Sequence, residues 1–307
     1  MPEYILKTHG LSKKYKGNPV VDNIDMSIKK GSIYGFIGQN GAGKSTLIRL
    51  ITGLAFPTDG EFRLFGSTDK KEFIDAKSRI GVMIEAPALY MNMTARENLE
   101  VHRLLKGVPG KQSIEKTLEL VDLLDVGKKK VKNFSLGMKQ RLGIAIALLG
   151  DPEFLILDEP INGLDPMGVV AVRKLLKKLN EDYDITILIS SHILSELHLL
   201  ATDYGIIHNG KLVEQLTAKD LDERSQKHIH IKVDDVSKAS TVLQDVLGTN
   251  NFEVKEDHSI RMLDYVDEPM KVSKALTQNG LLIEEFMPMG EDLESYFSHL
   301  IGGVIDE

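Results

Sequence analysis

Residues 33–50 read Ile-Tyr-Gly-Phe-Ile-Gly-Gln-Asn-Gly-Ala-Gly-Lys-Ser-Thr-Leu-Ile-Arg-Leu, and Gly38–Ser45 fits the pattern G-x-x-x-x-G-K-S/T at every fixed position. An apolar, strand-like run leads into this loop, and apolar residues at three- and four-residue steps follow it, as in a helix. A strand, a glycine-rich loop and a helix form the context in which the pattern binds a chain of phosphates. The stretch therefore predicts an α/β fold that holds a nucleoside triphosphate at the loop.

The residues of the loop suit this ligand for separate reasons. Its glycines let backbone N–H groups turn towards the phosphates, and the start of the following helix adds the positive end of a dipole. We expect Lys44 to bridge the β- and γ-phosphates and the Ser45 hydroxyl to bind Mg²⁺. The alternative, a glycine-rich turn that binds nothing, does not explain the flanking strand and helix.

Composition is that of an ordinary globular protein whose length allows two domains. The 307 residues include no cysteine, which excludes a disulfide framework and a thiolate metal site. The first residues lack the apolar stretch of a secretory signal, and the longest apolar run, Leu142–Gly150, is about half of what spans a bilayer. We therefore expect a cytoplasmic protein that does not cross a membrane by itself.

Charge is distributed unevenly along the chain. Residues 218–307 contain 19 Asp and Glu against 9 Lys and Arg, whereas residues 1–217 contain 26 against 29. A nucleic-acid-binding protein normally presents a basic face. Neither part is basic enough for one, so we expect no nucleic-acid partner.

Two further apolar runs end in side chains suited to phosphate chemistry. Phe154–Leu157 is followed by Asp158 and Glu159, and the run that ends near residue 190 is followed by His192. Functional residues of parallel sheets gather at the carboxyl ends of the strands. We expect Asp158 to hold Mg²⁺, Glu159 to polarise a water and His192 to contact the γ-phosphate. A solvated turn for the acids and a structural role for the histidine are the alternatives.

Patterns along the chain predict its organisation. Short antiparallel strands, among them Tyr4–Thr8 and Val20–Ile28, precede the loop in an ATPase domain over 1–217. A helical subdomain over about 86–150 interrupts that domain. Residues 218–307 follow the order β-α-β-β-α-β, which predicts a small ferredoxin-like α+β domain.

Two residues outside these strands stand out by their positions. Tyr15 lies just before a turn, where its ring could stack on a purine base or simply pack against the protein. Ser135 precedes an apolar helix and is a good N-cap, so that helix would present free N–H groups.

Together, the motifs in 1–217 resemble those of the ATP-binding subunit of an ABC transporter. The similarity is closest to the ATPases of peptide exporters for bacitracin resistance and lantibiotic immunity, and it is looser in 218–307. It implies that Gly38–Thr46 is the Walker A motif and Phe154–Asp158 the Walker B motif. The resemblance also implies site residues, which are Tyr15 on adenine; Gly38, Asn40, Gly41, Gly43, Lys44, Ser45 and Thr46 around the phosphates; Ser135 and Gly137 in the signature motif; Glu159 as general base; Asp165 in the D-loop; and His192 as the switch histidine.

The resemblance also implies the partners. In such ATPases the signature motif of one subunit faces the γ-phosphate bound by another, so ATP lies between two copies of the chain. The dimer docks on a polytopic membrane permease, which places the protein on the inner face of the cell membrane. The transported substrate does not follow from an ATPase subunit.

The most informative departure from the family pattern is Glu85, which stands where the Q-loop normally has glutamine. A glutamate here is a feature of the lantibiotic-immunity group. Its carboxylate could bind Mg²⁺ more strongly than an amide, but it would also repel the γ-phosphate. The alternative is an ordinary exposed acid.

Two other functions are compatible with a phosphate loop. A soluble ABC-type ATPase that acts on DNA or ribosomes usually has two cassettes or a long coiled-coil insertion, and neither is present. A regulatory nucleotide sensor would not need Lys44, Asp158, Glu159 and His192 together. Co-purification with a polytopic membrane protein separates the exporter subunit from both.

Overall fold

The structure is a computed structural model that describes residues 3–67, 70–225, 227–255, 257–290 and 293–302. Its first elements are β1 (Tyr4–Tyr15), β2 (Asn18–Ile24), β3 (Ser27–Lys29), β4 (Ile33–Ile37), α1 (Lys44–Ile51) and β5 (Asp59–Leu64). β1 pairs antiparallel with β2, β3 and β5, which together form an N-terminal sheet. The predicted antiparallel strands at the N-terminus are therefore confirmed.

The strand boundaries in this sheet differ from the expected ones. The run Val20–Ile28 is divided into β2 and β3, because the Thr8 hydroxyl donates to the Ile24 carbonyl at 2.7 Å and accepts from the Met26 N–H at 2.8 Å. β1 also continues beyond its predicted end at Thr8. Gly10, with φ at 56°, allows the irregularity at which β1 passes from one set of partners to another.

The next part of the chain builds a central sheet and a helical segment. Its elements are α2 (Lys70–Ser78), β6 (Ile80–Met83), α3 (Ala95–Leu105), α4 (Gln112–Leu120), α5 (Leu136–Leu148), β7 (Phe154–Asp158), α6 (Pro166–Tyr183), β8 (Thr186–Ser191), α7 (Leu194–His198), β9 (Asp203–His208) and β10 (Lys211–Thr217). The sheet has the order β10-β9-β4-β8-β7-β6 and is parallel except for β10.

Burial explains why these strands form the centre of the fold. Every residue of β4, β7 and β8 is buried, as expected for parallel strands covered on both faces. One apolar cluster joins the N-terminal sheet, α1 and the central sheet, and it includes Leu6, Leu11, Ile28, Phe36, Leu47, Ile51 and Phe154. The carboxyl ends of β4, β7 and β8 thereby lie side by side.

The helical segment between β6 and β7 begins with a capping box. The Thr94 hydroxyl accepts from the Glu97 N–H at 3.2 Å, and the Glu97 carboxylate accepts from the Thr94 N–H at 2.6 Å. Further along, α5 packs closely on the chain after β6, since a Cβ on Gly143 would lie 2.5 Å from the Pro87 side chain. In the part of the chain that the structure describes, no helix is long and apolar enough to cross a membrane.

The chain divides into two compact units, Met1–Ala218 and Lys219–Glu307. The second contains most of α8 (Ala218–Ser225), then β11 (His228–Val233), α9 (Val236–Asp245), β12 (Phe252–Val254), β13 (Ile260–Met262), α10 (Pro269–Gln278), β14 (Ile283–Met289) and α11 (Leu293–Gly302). Its antiparallel sheet has the order β12-β13-β11-β14, and its core includes Ile229, Ile231, Leu243, Ile260 and Leu276. The expected β-α-β-β-α-β order and extra C-terminal sheet are confirmed.

Candidate active site

The glycine loop joins β4 to α1, and two of its glycines have no room for a side chain. A Cβ on Gly38 would lie 2.5 Å from the Ile207 carbonyl oxygen, and one on Gly43 would lie 2.6 Å from the Val20 carbonyl oxygen. Gly43 is also the N-cap of α1, with φ at 109°, and no described side chain caps that helix. The first N–H groups of α1 are therefore available to an anion.

Lys44, the first residue of α1, is buried with its charge partly compensated. Its side chain is 5% exposed, and Nζ donates to the carbonyls of Gly38 at 2.6 Å and Gln39 at 3.3 Å. A carboxylate oxygen of Glu159 lies 3.3 Å from the same nitrogen. The ammonium group is thus placed at the loop by protein groups that a triphosphate can replace.

Asp158 and Glu159 are linked through a residue that the sequence did not single out. The Ser190 hydroxyl donates to the Asp158 carboxylate at 2.5 Å and accepts from the Glu159 N–H at 2.9 Å. Ser190 and Asp158 are directly paired in the register of β7 and β8. All that the sequence contained was a hydroxyl near the end of an apolar strand. Ser190 thus holds the Asp158 carboxylate and the turn that follows it.

Glu159 connects the loop lysine with the predicted histidine. Its backbone has φ at 52°, a conformation that is uncommon for residues other than glycine and is often found at functional sites. One carboxylate oxygen faces Lys44, and the other lies 2.7 Å from Nδ1 of His192. A carboxylate held in this way can accept a proton from a water.

These groups surround a cavity of about 480 Å³. It is lined by nine of the predicted residues, namely Asn40, Gly41, Gly43, Lys44, Ser45, Thr46, Glu85, Asp158 and Glu159. Four further lining residues are not among the predicted site residues, and these are Val20, Ala86, Gln140 and Asn162. Ala86 directly follows Glu85 and Asn162 lies three residues after Glu159, so both are close in sequence to predicted residues. Val20 and Gln140 reach the cavity from β2 and α5, and nothing in the spacing along the chain marks them.

Glu85 lies at the cavity with its carboxylate paired to another group. It follows β6 with φ at 59°, its side chain is 66% exposed, and the carboxylate forms an ion pair with Arg49 of α1. A role in binding Mg²⁺ would need that carboxylate to be shared with, or released by, Arg49.

The remaining predicted residues are not among the cavity-lining residues that the structure describes. Gly38 contributes the carbonyl that binds Lys44, and Tyr15 is 46% exposed in the hairpin whose second strand carries Val20. Ser135 and Asp165 are instead N-caps of the neighbouring helices α5 and α6, accepting from Met138 N–H at 3.2 Å and Gly168 N–H at 2.9 Å.

Gly137, in the first turn of α5, faces the start of α6. A Cβ on Gly137 would come 3.8 Å from the Cα of Gly168. Ser135, Gly137 and Asp165 thus belong to one region of the surface outside the cavity.

The donor set of the cavity fits a magnesium ion that arrives with a phosphate chain. The Asp158 carboxylate, which is 1% exposed, and the Ser45 hydroxyl are hard oxygen donors. Among the described residues, no group of three or more His, Cys, Asp or Glu could hold a metal alone. Mg²⁺ is usually bound by one or two carboxylates together with substrate phosphates, so the residues present fit it.

Comparison with known proteins agrees with this geometry. The family model described as ABC transporter matches residues 21–162. The bacitracin transport ATP-binding protein BcrA of Enterococcus faecalis is 43% identical over 301 residues, which cover 98% of this chain and 97% of BcrA. The chain belongs to the ABC transporter ATP-binding proteins. It binds and hydrolyses ATP as part of an ABC transporter.

Two other relatives show how far the similarity of this ABC ATPase extends. The lantibiotic transport ATP-binding protein SrtF of Streptococcus pyogenes is 43% identical over 209 residues, covering 68% of this chain and 89% of SrtF. The dimeric ATP-binding cassette MJ0796, bound to ADP and phosphate, superposes with a TM-score of 0.62 at 25% identity. The superposed part covers 69% of this chain and 98% of the MJ0796 cassette. The predicted fold class and ATPase activity are therefore confirmed.

Proposed function

We propose that this ABC ATPase is the motor subunit of an exporter that removes antimicrobial peptides of the bacitracin or lantibiotic type. The observation that carries the proposal is the similarity to BcrA, which extends over 98% of the chain and so includes the unit after Ala218. Glu85 supports it, because the resemblance associates a glutamate at this position with the lantibiotic-immunity group.

Hydrolysis in this proposal depends on one proton acceptor and the groups around it. The phosphates replace Glu159 as the partner of Lys44, which leaves one Glu159 oxygen free for a water. Glu159 accepts a proton from that water while the water oxygen attacks the γ-phosphate. His192 lies 2.7 Å from the other Glu159 oxygen and holds it in place. Asp158 and Ser45, with Glu85 at the edge of the cavity, would hold Mg²⁺. When bound, the ion neutralises charge on the phosphates.

Each chain supplies half of two sites in this proposal. Ser135, Gly137 and Asp165 share a surface outside the chain's own cavity, at the N-termini of α5 and α6. A helix N-terminus attracts anions, so this surface suits the γ-phosphate bound by a second copy. Two copies with ATP between them complete both sites, and the affinity of ATP for the closed form drives the change of state.

The permease contact is proposed for the chain that follows Glu85. Tyr90 and Met91 are 45% and 46% exposed there, and flexible methionine side chains suit adaptable docking surfaces. Because α5 packs on Pro87, a shift of this segment would also displace α5, whose N-cap is Ser135. The protein would lie on the inner face of the cell membrane, bound to the permease.

A sensitivity assay tests the proposal directly. The gene would be deleted in the native host, and bacitracin and a lantibiotic would be titrated against strains complemented with wild-type or with Glu159→Gln. We expect deletion to increase sensitivity, wild-type alone to restore resistance, and a polytopic membrane protein to co-purify with both forms. Unchanged sensitivity to both peptides would contradict the assignment to this class of substrate.

A further inference from the structure

Gln140 is a buried polar residue of the cavity whose role neither the family motifs nor the proposed chemistry explains. It belongs to α5, its side chain is 6% exposed, and it lines the same cavity as Asp158, Glu159 and Lys44. Its side-chain oxygen Oε1 is buried, and no hydrogen-bond donor in the described part of the chain reaches it.

The position of this amide is set by rigid packing. Gly143, three residues later on the same helix, lies so close to Pro87 and Met83 that a Cβ would meet them at 2.5 Å and 2.6 Å. Residues three apart on a helix share a face. Gln140 is therefore held beside the segment that follows Glu85, at the side of the cavity where β6 ends.

An acceptor without a donor is unfavourable in a protein interior, and native structures rarely retain one unless a ligand or a water completes it. The triphosphate cannot do so, because phosphate oxygens are themselves acceptors and would repel the amide oxygen. A water bound to a cation is a strong hydrogen-bond donor, so it can pair with the amide oxygen that the phosphate oxygens would repel. The orphaned oxygen thus indicates the metal side of the bound nucleotide.

We infer that Gln140 is a ligand-binding residue whose side-chain oxygen accepts a hydrogen bond from a water in the hydration shell of the magnesium ion bound with ATP. The inference rests on the proposed magnesium site at Asp158 and Ser45. Gln140 would act beside Glu85: the carboxylate at the Q-loop position is paired with Arg49, and a neutral amide reaches the same cavity from α5.

Binding of a fluorescent ATP analogue, titrated with Mg²⁺ and separately in EDTA, tests the inference. Gln140→Met keeps the length of the side chain but removes the acceptor, and we expect it to weaken the affinity for Mg²⁺ about tenfold while leaving binding in EDTA unchanged. Gln140→Glu keeps an acceptor and adds a negative charge, so it should not show the loss of Mg²⁺ affinity expected of Gln140→Met. Lys139→Met, the same replacement one residue earlier and outside the cavity, is the matched control.

Thermal unfolding without nucleotide provides a second readout. Removing an unsatisfied acceptor should leave the melting temperature of Gln140→Met equal to or above that of the wild-type, whereas its stabilisation by Mg-ATP should be smaller. Equal losses of ATP affinity with and without Mg²⁺, together with a lower melting temperature, would make Gln140 a structural residue and overturn the inference.

The inference about Gln140 and the proposed magnesium site fail in different ways. If the Mg²⁺ dependence of Gln140→Met equals that of the wild-type, the inference is wrong while the magnesium site stands. If the wild-type binds the ATP analogue equally with and without Mg²⁺, both are wrong.

Discussion

The ammonium nitrogen of Lys44 lies 3.3 Å from one carboxylate oxygen of Glu159, whose other oxygen lies 2.7 Å from His192. Lys44 and Glu159 are 5% and 20% exposed, so their ion pair is only partly screened by solvent. A triphosphate in the loop competes for the same ammonium group. Nucleotide binding and release of Glu159 are therefore coupled through one contact.

Replacing Glu159 by Gln should separate binding from hydrolysis. The amide cannot accept the proton of the attacking water, so we expect turnover to fall by about 10²–10⁴-fold while ATP is still bound. ATP that is not hydrolysed keeps the two copies together, and size-exclusion chromatography at saturating Mg-ATP should show a dimer. The exposed Glu181→Gln on α6 is the matched control and should behave as wild-type. A monomeric Glu159→Gln protein would contradict the ATP-sandwich model.

Ser190→Ala should affect both stability and activity. The change leaves the Asp158 carboxylate and the Glu159 N–H without the hydroxyl that joins them, in a place where Ser190 is fully buried. We expect the free energy of unfolding to fall by about 1–3 kcal/mol, measured by urea denaturation. The ATPase rate should also fall, because Asp158 and Glu159 lose a common support.

Ser113→Ala serves as the control for this effect, since its hydroxyl, in the first turn of α4, donates an exposed hydrogen bond to the Gly110 carbonyl. Ser113→Ala should change neither the free energy of unfolding nor the ATPase rate appreciably. Wild-type stability in Ser190→Ala would show that the hydroxyl does not organise the two acids.

Glu85→Gln should retain ATPase activity and change its dependence on Mg²⁺ or its coupling to transport. The change removes a carboxylate from the cavity and the ion pair with Arg49, which is exposed and so contributes at most about 1 kcal/mol to stability. The rate would be measured over a series of Mg²⁺ concentrations, with Arg49→Gln in parallel. Arg49→Gln frees the Glu85 carboxylate, so its Mg²⁺ requirement should shift in the direction opposite to that of Glu85→Gln. A Glu85→Gln protein identical to wild-type in both Mg²⁺ dependence and coupling would refute the role.

Tyr15→Ala should weaken ATP binding if the ring stacks on adenine. An aromatic pair contributes about 0.5–1.5 kcal/mol, which corresponds to a two- to tenfold loss of affinity in equilibrium titration. Tyr15→Phe keeps the ring and should bind as wild-type does. Stacking involves the face of the base and not its hydrogen-bonding edge, so the affinity of Tyr15→Ala for GTP should fall by a similar factor. Equal affinities of Tyr15→Ala and wild-type would leave packing as the only function of the ring.

The sequence predicted the residues of the site far better than their contacts. The loop from Gly38 and the acids after β7 were found because their function depends on a short stretch of backbone at the end of a strand. Ser190 and Gln140 do not stand out in the sequence, because only the register of β7 and β8 and the packing of α5 show that their side chains face the site. In the N-terminal sheet, the run Val20–Ile28 was taken as one strand, since the sequence does not show that Thr8 bonds across it.

The amino-acid sequence by itself determined the α/β fold class, the phosphate loop and the acids at the end of β7, because glycine spacing and apolar periodicity are local properties of a chain. It also determined that one chain contains a single copy of each motif. Tertiary structure alone decided that Glu159 lies between Lys44 and His192, that Ser190 joins Asp158 to the turn, and that Glu85 pairs with Arg49. The physical reason is strand register and helix packing: these contacts form only when β6, β7, β8 and α1 have been brought together by burial of their apolar faces.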